Sequence, residues 1–141
     1  MEYKNVIYRK AGAVASITLN TPHNLNALSG EMYTDIWDAL VRCDEDEEIR
    51  AVILNAGGRA FSGGGDIGEM VGRLHAGDLG FEVLAEQSLR IVQKIHLLSK
   101  PVIASCHGAV AGAGFLIALA CDVCIASEDA RFMLPFVKIG L

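Results

Sequence analysis

Pro101 to Asp122 runs PVIASCHGAVAGAGFLIALACD. Its opening, Val102 to Ala104, is short, apolar and β-branched, as a buried strand is. Gly108, Gly112 and Gly114 then interrupt it, and Phe115 to Ala120 contains no polar residue. A helix starting near Ala113 is apolar on every face, so it is expected inside the protein. The first amides of such a helix have no partner within it and carry the positive end of its dipole. Buried amides aimed into a glycine-lined space suit a developing oxyanion. The same spacing also fits a core crossing from strand to helix, where glycine serves a tight turn. Spacing alone leaves both readings open.

Working outward, Val123 to Ala126 reads as a further strand, and Phe132 to Leu134 as another. On the N-terminal side, Phe81, Leu84, Ser88, Ile91, Ile95 and Leu98 keep three-and-four spacing, which predicts a long amphipathic helix ending at Ser99. Arg73 to Gly80 is polar and glycine-punctuated, the composition of a mobile connection. Asp66 to Val71 starts a short helix after a second glycine-rich loop, Asn55 to Gly65, and Ala51 to Leu54 is the strand before that loop. Met32, Ile36 and Leu40, with Tyr33, Trp37 and Val41, form one apolar face of a helix that Ser29 caps and Asp44 to Glu48 ends. Val6 to Tyr8 and Val14 to Leu19 are strands about a turn at Ala11-Gly12, and Asn20 to Leu28 is a loop. Strands alternating with helices predict α/β layers with crossover connections.

The chain has 141 residues, enough for one domain (1–141) with a real core. Half of it is apolar, which excludes a disordered tail. A net charge of −5 without a basic stripe argues against a nucleic-acid partner. The N-terminus lacks the apolar core of a signal peptide, and no uncharged run is long enough to span a bilayer. No membrane partner is therefore expected, and a soluble, cytoplasmic protein is. The C-terminus, Lys138-Ile139-Gly140-Leu141, follows apolar residues without a polar tail, so it is expected to dock on a partner or to continue.

Other motifs lack the context that their chemistry needs. Cys121 and Cys124 form one C-x-x-C with no second ligand pair, so buried free thiols are expected there, and no metal. Gly63 to Gly68 matches G-x-G-x-x-G but lies eight residues past its strand, the wrong context for a dinucleotide. Ser62 and Ser105 lack the flanking glycines of a nucleophile elbow. Cys106 and His107 are neighbours on an extended segment and point to opposite faces. His23, His75 and His96 have no ligand spacing. What remains is a pair of glycine turns, Gly63–Asp66 and Gly112–Gly114, each handing a strand to a helix. Brought together, they offer two backbone N–H donors to one oxygen.

Four segments carry a resemblance. Leu19-Asn20-Thr21-Pro22 precedes Asn26-Ala27-Leu28; Ala60 to Ile67 reads AFSGGGDI; Lys100 to Ala104 reads KPVIA and leads into Gly108 to Gly114; Cys121-Asp122 is followed by Ile125-Ala126 and Phe132. In this order they resemble the LNRP…NAL, AF-x-AGAD-[IL], KPVIA…NG-x-x-x-GGG and CD-x-x-IA…F segments of the crotonase superfamily, the enoyl-CoA hydratases and isomerases. Thr21 stands where arginine is usual.

The resemblance implies a crotonase-like spiral of ββα units, truncated before the C-terminal helices, and a homo-trimer or hexamer for the full-length form. It places the oxyanion-hole amides on Gly65 and Ala113, where they would bind the thioester carbonyl and stabilise an enolate. Asn24, Leu25 and Ala27, with Ala60, Ser62, Gly63, Gly64, Asp66 and Ile67, would hold the adenine and pantetheine of coenzyme A. Gly112, Leu116, Pro135 and Phe136 would border the acyl group. Coenzyme A enters as part of an acyl-CoA substrate, with no permanently bound cofactor.

The family's hydratases carry two glutamates that fall here on Leu116 and Phe136, and neither side chain can take a proton. Some of its isomerases instead use one aspartate soon after a K-[IL]-G-L segment, which Lys138 to Leu141 resembles. The resemblance therefore implies double-bond isomerisation, with the proton-transfer residue beyond Leu141. A hydratase using other residues and a non-catalytic thioester-binding protein are the alternatives.

Overall fold

A hairpin starts the chain, because Gly12 takes φ +59 between β1 (Val6–Ala11) and β2 (Val14–Leu19), a conformation that disfavours a Cβ. The computed structural model describes residues 2–78 and 80–139. After a 3-10 turn at Pro22–Asn24 come α1 (Gly30–Glu45), β3 (Ala51–Ala56), α2 (Ile67–His75), α3 (Gly80–Leu97) and β4 (Val102–Cys106). Then follow β5 (Ala109–Ala111), α4 (Ala113–Ala120), β6 (Val123–Ala126), β7 (Arg131–Met133) and a 3-10 turn at Pro135–Ile139.

The main sheet runs β1-β2-β3-β4-β6, antiparallel at its first pair and parallel after it. Each parallel step is a crossover through helix, as the alternation predicts. Ala15, Val52 and Val102 stand in one row of the register, and Ile17, Leu54 and Ala104 in the next. All six are buried, so one face of the sheet is core, whereas their alternate neighbours are only half-buried. The fold class is α/β with a largely parallel sheet, as expected.

Side chains fix the helices at defined points. Ser29 Oγ accepts from the Met32 amide at 3.2 Å, which caps α1. At the other end Lys100 Nζ donates to the carbonyls of Cys43, Asp44 and Asp46 at 2.5, 3.1 and 2.6 Å. A cation there satisfies orphan carbonyls and opposes the dipole. Lys94 Nζ reaches Asp44 Oδ2 at 2.7 Å, and the Ser99 hydroxyl donates to Asp44 Oδ1 at 3.1 Å. The pre-strand segment 99–102 is thus tied to the end of α1. α3 packs against α1, α2 and α4, burying Leu84, Ser88, Ile91 and Ile95 as its spacing predicts.

Four readings need correction. α4 is not covered on every side: Ile117, Ala118 and Ala120 are buried, but Leu119 is 60 % exposed. β6 is an edge strand with all four residues exposed, so hydropathy there reports an uncovered surface. The thiols differ accordingly. Cys43 and Cys106 are buried, Cys121 is half-buried and Cys124 is exposed beside Cys106, their Sγ atoms 3.8 Å apart. Burial pushes Cys121 and Cys106 up to about 12, Cys124 adding to both, so both are protonated thiols at neutral pH. Finally, Ala109–Ala111 is a strand that the glycine pattern hid; it pairs in parallel with β7 as a second sheet.

Candidate active site

The two glycine turns are joined by backbone. The Ser62 amide donates to the Ala109 carbonyl at 3.1 Å, and the Ala111 amide donates to the Ser62 carbonyl at 2.9 Å. Phe61 N–H reaches the His107 carbonyl at 2.8 Å, and Leu28 bridges to Gly65 on the other side. The segments that carried the resemblance are thereby zipped in register: 28 beside 65, 62 beside 110, and 110 beside 132.

Close approach explains the glycines. A Cβ on Gly108 would lie 2.0 Å from the Arg59 carbonyl oxygen, and Gly108 has φ +56. A Cβ on Gly114 would meet Ser62 Cβ at 2.5 Å, so α4 starts in contact with the first turn. One on Gly64, where φ is +99, would stand 3.0 Å from the Ala111 oxygen. Only glycine lets these backbones meet.

Asn26 and Ser62 hold the crossing from inside. Both are fully buried. Asn26 Nδ2 donates to the carbonyls of Gly57 and Ala60 at 2.9 Å each, while Asn26 Oδ1 accepts from the Thr21 amide at 2.8 Å. Ser62 Oγ donates to the Asn26 carbonyl at 2.9 Å and accepts from the Gly64 amide at 3.1 Å. Leu25 and Asn26 both have positive φ, so this polar clamp maintains a strained turn.

Each turn leaves amides open. Asp66 N–H reaches the Leu28 carbonyl and Gly112 N–H the Met133 carbonyl. The Gly65 and Ala113 N–H groups find no acceptor among the described residues, and neither do the helix-start amides of Ile67, Gly68, Gly114 and Phe115 that follow them. α4 has no side-chain cap at its N-terminus, whereas α2 is capped by Asp66, whose carboxylate accepts from the Glu69 amide at 3.0 Å.

Gly65 and Ala113 both line a cavity of about 870 Å³ between the turns, α2, α3, α4 and the Pro135–Ile139 turn. Its walls include Ile67, Met70, Leu84, Val92, Leu116, Leu119, Leu134, Pro135 and Phe136, so they are chiefly apolar. Volume and lining are those of a small-molecule site. Tyr33, Ser88 and the exposed His96 also border it. Burial pushes the Tyr33 phenol up to about 12, against a smaller opposing effect of the Ser88 hydroxyl. No aspartate, glutamate, lysine or arginine lines the cavity among the described residues.

The structure thus brings together Gly63, Gly64, Gly65, Ile67, Gly112, Ala113, Leu116, Pro135 and Phe136 around one space. It sets Ala60 and Ser62 inward, at 2 % and 0 % exposure, where they support the turn. Asn24, Leu25 and Ala27 lie half-buried outside the cavity lining, as does the capping Asp66. Gly140 and Leu141 lie outside the described residues. Sequence reasoning did not place Tyr33, Met70 and Ser88 at the site. The signal for Ser88 was present as a hydroxyl in the middle of an apolar helical stripe. His107, by contrast, bonds the Gly58 carbonyl through Nε2 at 2.8 Å and forms no dyad with Cys106. Among the described residues no cluster suits a metal, and no helix is long and apolar enough to cross a membrane.

A family model described as enoyl-CoA hydratase/isomerase matches residues 9–141. The chain is 38 % identical to the trans-2-decenoyl-[acyl-carrier-protein] isomerase of Streptococcus mutans, across all of this chain and 54 % of that one. It is 39 % identical to the short-chain-enoyl-CoA hydratase of Clostridium acetobutylicum, across all of this chain and 53 % of that one. Among solved structures, an enoyl-CoA hydratase/isomerase from Xanthobacter autotrophicus Py2 superposes with a TM-score of 0.89 at 34 % identity, covering 99 % of this chain and 52 % of that one. An enoyl-CoA hydratase from Mycobacterium avium subsp. paratuberculosis gives 0.84 at 36 % identity, with 99 % and 51 % covered. The chain spans about half the length of the curated relatives it matches.

Proposed function

The chain belongs to the enoyl-CoA hydratase/isomerase family, and within it we propose that this protein shifts a double bond in an acyl-CoA thioester through a stabilised enolate. The observation that supports this reading is the pair of unpartnered amides, Gly65 and Ala113, lining an apolar cavity whose positions 116 and 136 are leucine and phenylalanine. In this reading both N–H groups donate to the thioester carbonyl oxygen. Charge gathers on that oxygen as a proton leaves Cα, so the two hydrogen bonds strengthen in the transition state. The enolate then takes a proton at Cγ, and a 3-enoyl thioester becomes the conjugated 2-enoyl thioester. The amides polarise; a separate group moves the proton. Leu116 and Phe136 cannot serve, which disfavours hydration by paired glutamates. In the same reading the loop backbones at 24–27 and 62–67 hold coenzyme A, which arrives with the substrate, in a cytoplasmic homo-trimer or hexamer.

The test is conversion of 3-enoyl-CoA in deuterated water. Conjugated product carrying deuterium at Cγ supports the isomerase, and no product at any chain length rejects it. The absence of a carboxylate from the described cavity lining favours one other reading, a thioester-binding protein without catalysis. Tight acyl-CoA binding with no exchange at Cα would establish that one instead.

A further inference from the structure

α2 carries part of the cavity wall without being anchored by burial. Ile67 and Met70 line the space, yet the helix buries none of its residues and packs against α3. Most of its side-chain hydrogen bonds are internal. Asp66 accepts from the Glu69 amide, and Arg73 joins Glu69 to Asp78. Such bonds stiffen a helix but fasten it to nothing. One bond reaches outside: Glu69 Oε2 accepts from the Gly30 amide at 2.9 Å, 39 residues away along the chain. Among the described residues it is the one side-chain hydrogen bond that ties α2 to another element.

Both ends of that bond are prepared for it. Gly30 opens α1, where an N–H without a partner in the helix and the positive end of the dipole favour a carboxylate. A Cβ on Gly30 would stand 3.2 Å from Glu69 Oε1, so a bare backbone lets the carboxylate in. Arg73 Nε and Nη2 hold that second oxygen at 3.0 and 2.9 Å, which fixes the plane of the group. With both oxygens engaged and Glu69 outside the cavity lining, this carboxylate moves no proton there. What it controls is the next residue. Met70 Cε lies 2.5 Å from where a Gly65 Cβ would stand, so the thioether methyl rests on the residue whose amide is open. Leu28 already bonds the Gly64 carbonyl and the Asp66 amide, so what α2 adds at Gly65 is cover. Cover keeps water from that amide, and a donor in a water-free site acts more strongly on a developing oxyanion.

We infer that Glu69 is a positioning residue, whose bond to the start of α1 holds α2 so that Met70 covers the Gly65 amide. This rests on the acyl-thioester reading of the cavity. Glu69 touches no substrate. Without its bond to Gly30, α2 tilts away, water reaches the amide, and the thioester carbonyl is polarised less.

The infrared stretch of an isotope-labelled thioester carbonyl tests the inference, because its frequency falls as the amides polarise the bond. Hexanoyl-CoA bound to the unaltered protein is expected to show that fall. Glu69→Ala should lose roughly half of it, since one of two donors is weakened, and amide exchange should quicken in α2 ahead of the rest of the chain. Glu69→Gln keeps an acceptor within reach of Gly30 and should retain most of the shift. Glu69→Asp keeps the charge on a side chain one methylene shorter and should behave as the alanine variant does. If Glu69→Ala does not fold, the glutamine and aspartate variants decide alone. A full shift in Glu69→Ala, or a shift no larger in Glu69→Gln than in Glu69→Asp, overturns the positioning role while leaving the thioester reading standing. Failure of hexanoyl-CoA to bind the unaltered protein, or binding without a shift, overturns the oxyanion reading and the positioning role with it.

Discussion

The two glycine turns place an open amide at the same cavity by opposite means. After Gly63–Gly65 the chain enters α2, which buries none of its residues and is held by the Asp66 cap and the Arg73–Glu69 ion pair. After Gly112 it enters α4, which has no side-chain cap and no charged residue but buries Ala113, Gly114, Ile117, Ala118 and Ala120. The Asp66 cap takes one donor of α2, the Glu69 amide, and the Gly65 amide lies open one residue before that cap. An uncapped helix keeps its donors free and is held in place by its apolar side chains. Orphan N–H groups at a helix start are normally satisfied. Leaving one open is sustainable at α4 because packing, rather than capping, stabilises it.

The largest expected effect tests the uncapped end. Ala113→Pro removes that N–H at the first helical position, where proline is tolerated. The fold should survive, while turnover of an enoyl-CoA falls by roughly 10² to 10³, as for loss of one oxyanion donor. Steady-state kinetics beside a thermal melt separate the two. Unchanged turnover would mean that the α4 amide takes no part.

Next in size is the packing that replaces a cap. Ile117→Ala should cost about 3 kcal/mol in chemical denaturation, since Ile117 is fully buried in the core cluster. Asp66→Ala should cost about 1 kcal/mol, the value of a lost N-cap, and should show mainly as faster amide exchange within α2. Equal costs would erase the distinction between the two helices.

Ser62 lies between the turns, and its loss should fall between those values. Ser62→Ala leaves the Gly64 amide and the Asn26 carbonyl without their buried partner, a cost of about 2 kcal/mol. Urea midpoints would measure it, and a neutral result would show that the backbone bridge alone joins the turns.

The smallest effect lies away from the site and has a sign in pH. The Lys94 ammonium, with the Ser99 amide and hydroxyl, holds the Asp44 carboxyl below its ordinary value. A folded-state value below the unfolded one adds stability above about pH 4, lost as pH falls through the lower folded value. Asp44→Asn should therefore cost under about 1 kcal/mol at pH 7, and the difference from the unaltered protein should vanish in acid. A difference that persisted at pH 2 would assign it to packing instead.

Periodicity was enough to locate the helices, because 3.6-residue spacing is a property of one segment. It served well for Met32 to Leu40 and for Leu84 to Ile95. It misplaced boundaries where local and distant hydrogen bonds compete: α2 runs on to His75, and β3 continues to Ala56 because β2 pairs with it that far. It missed Ala109–Ala111, since three small residues between glycines are a strand only through partners at 62 and 131–133. Cys124 was expected to be buried; its hydropathy could not report that β6 is an edge.

What the sequence determined by itself was the inventory. It set which of the longer segments were helix or strand, which glycines could bring two backbones together, and that positions 116 and 136 carry no acid. The glycine spacing around Ala113 admitted an oxyanion site and a plain core crossing equally. Tertiary structure decided between partners. It set Ser62 against Val110, left the Gly65 and Ala113 amides open, and brought both turns to the border of one cavity. A donor's freedom depends on what lies opposite it, and residues 30 to 80 positions apart along the chain are placed opposite one another only by packing.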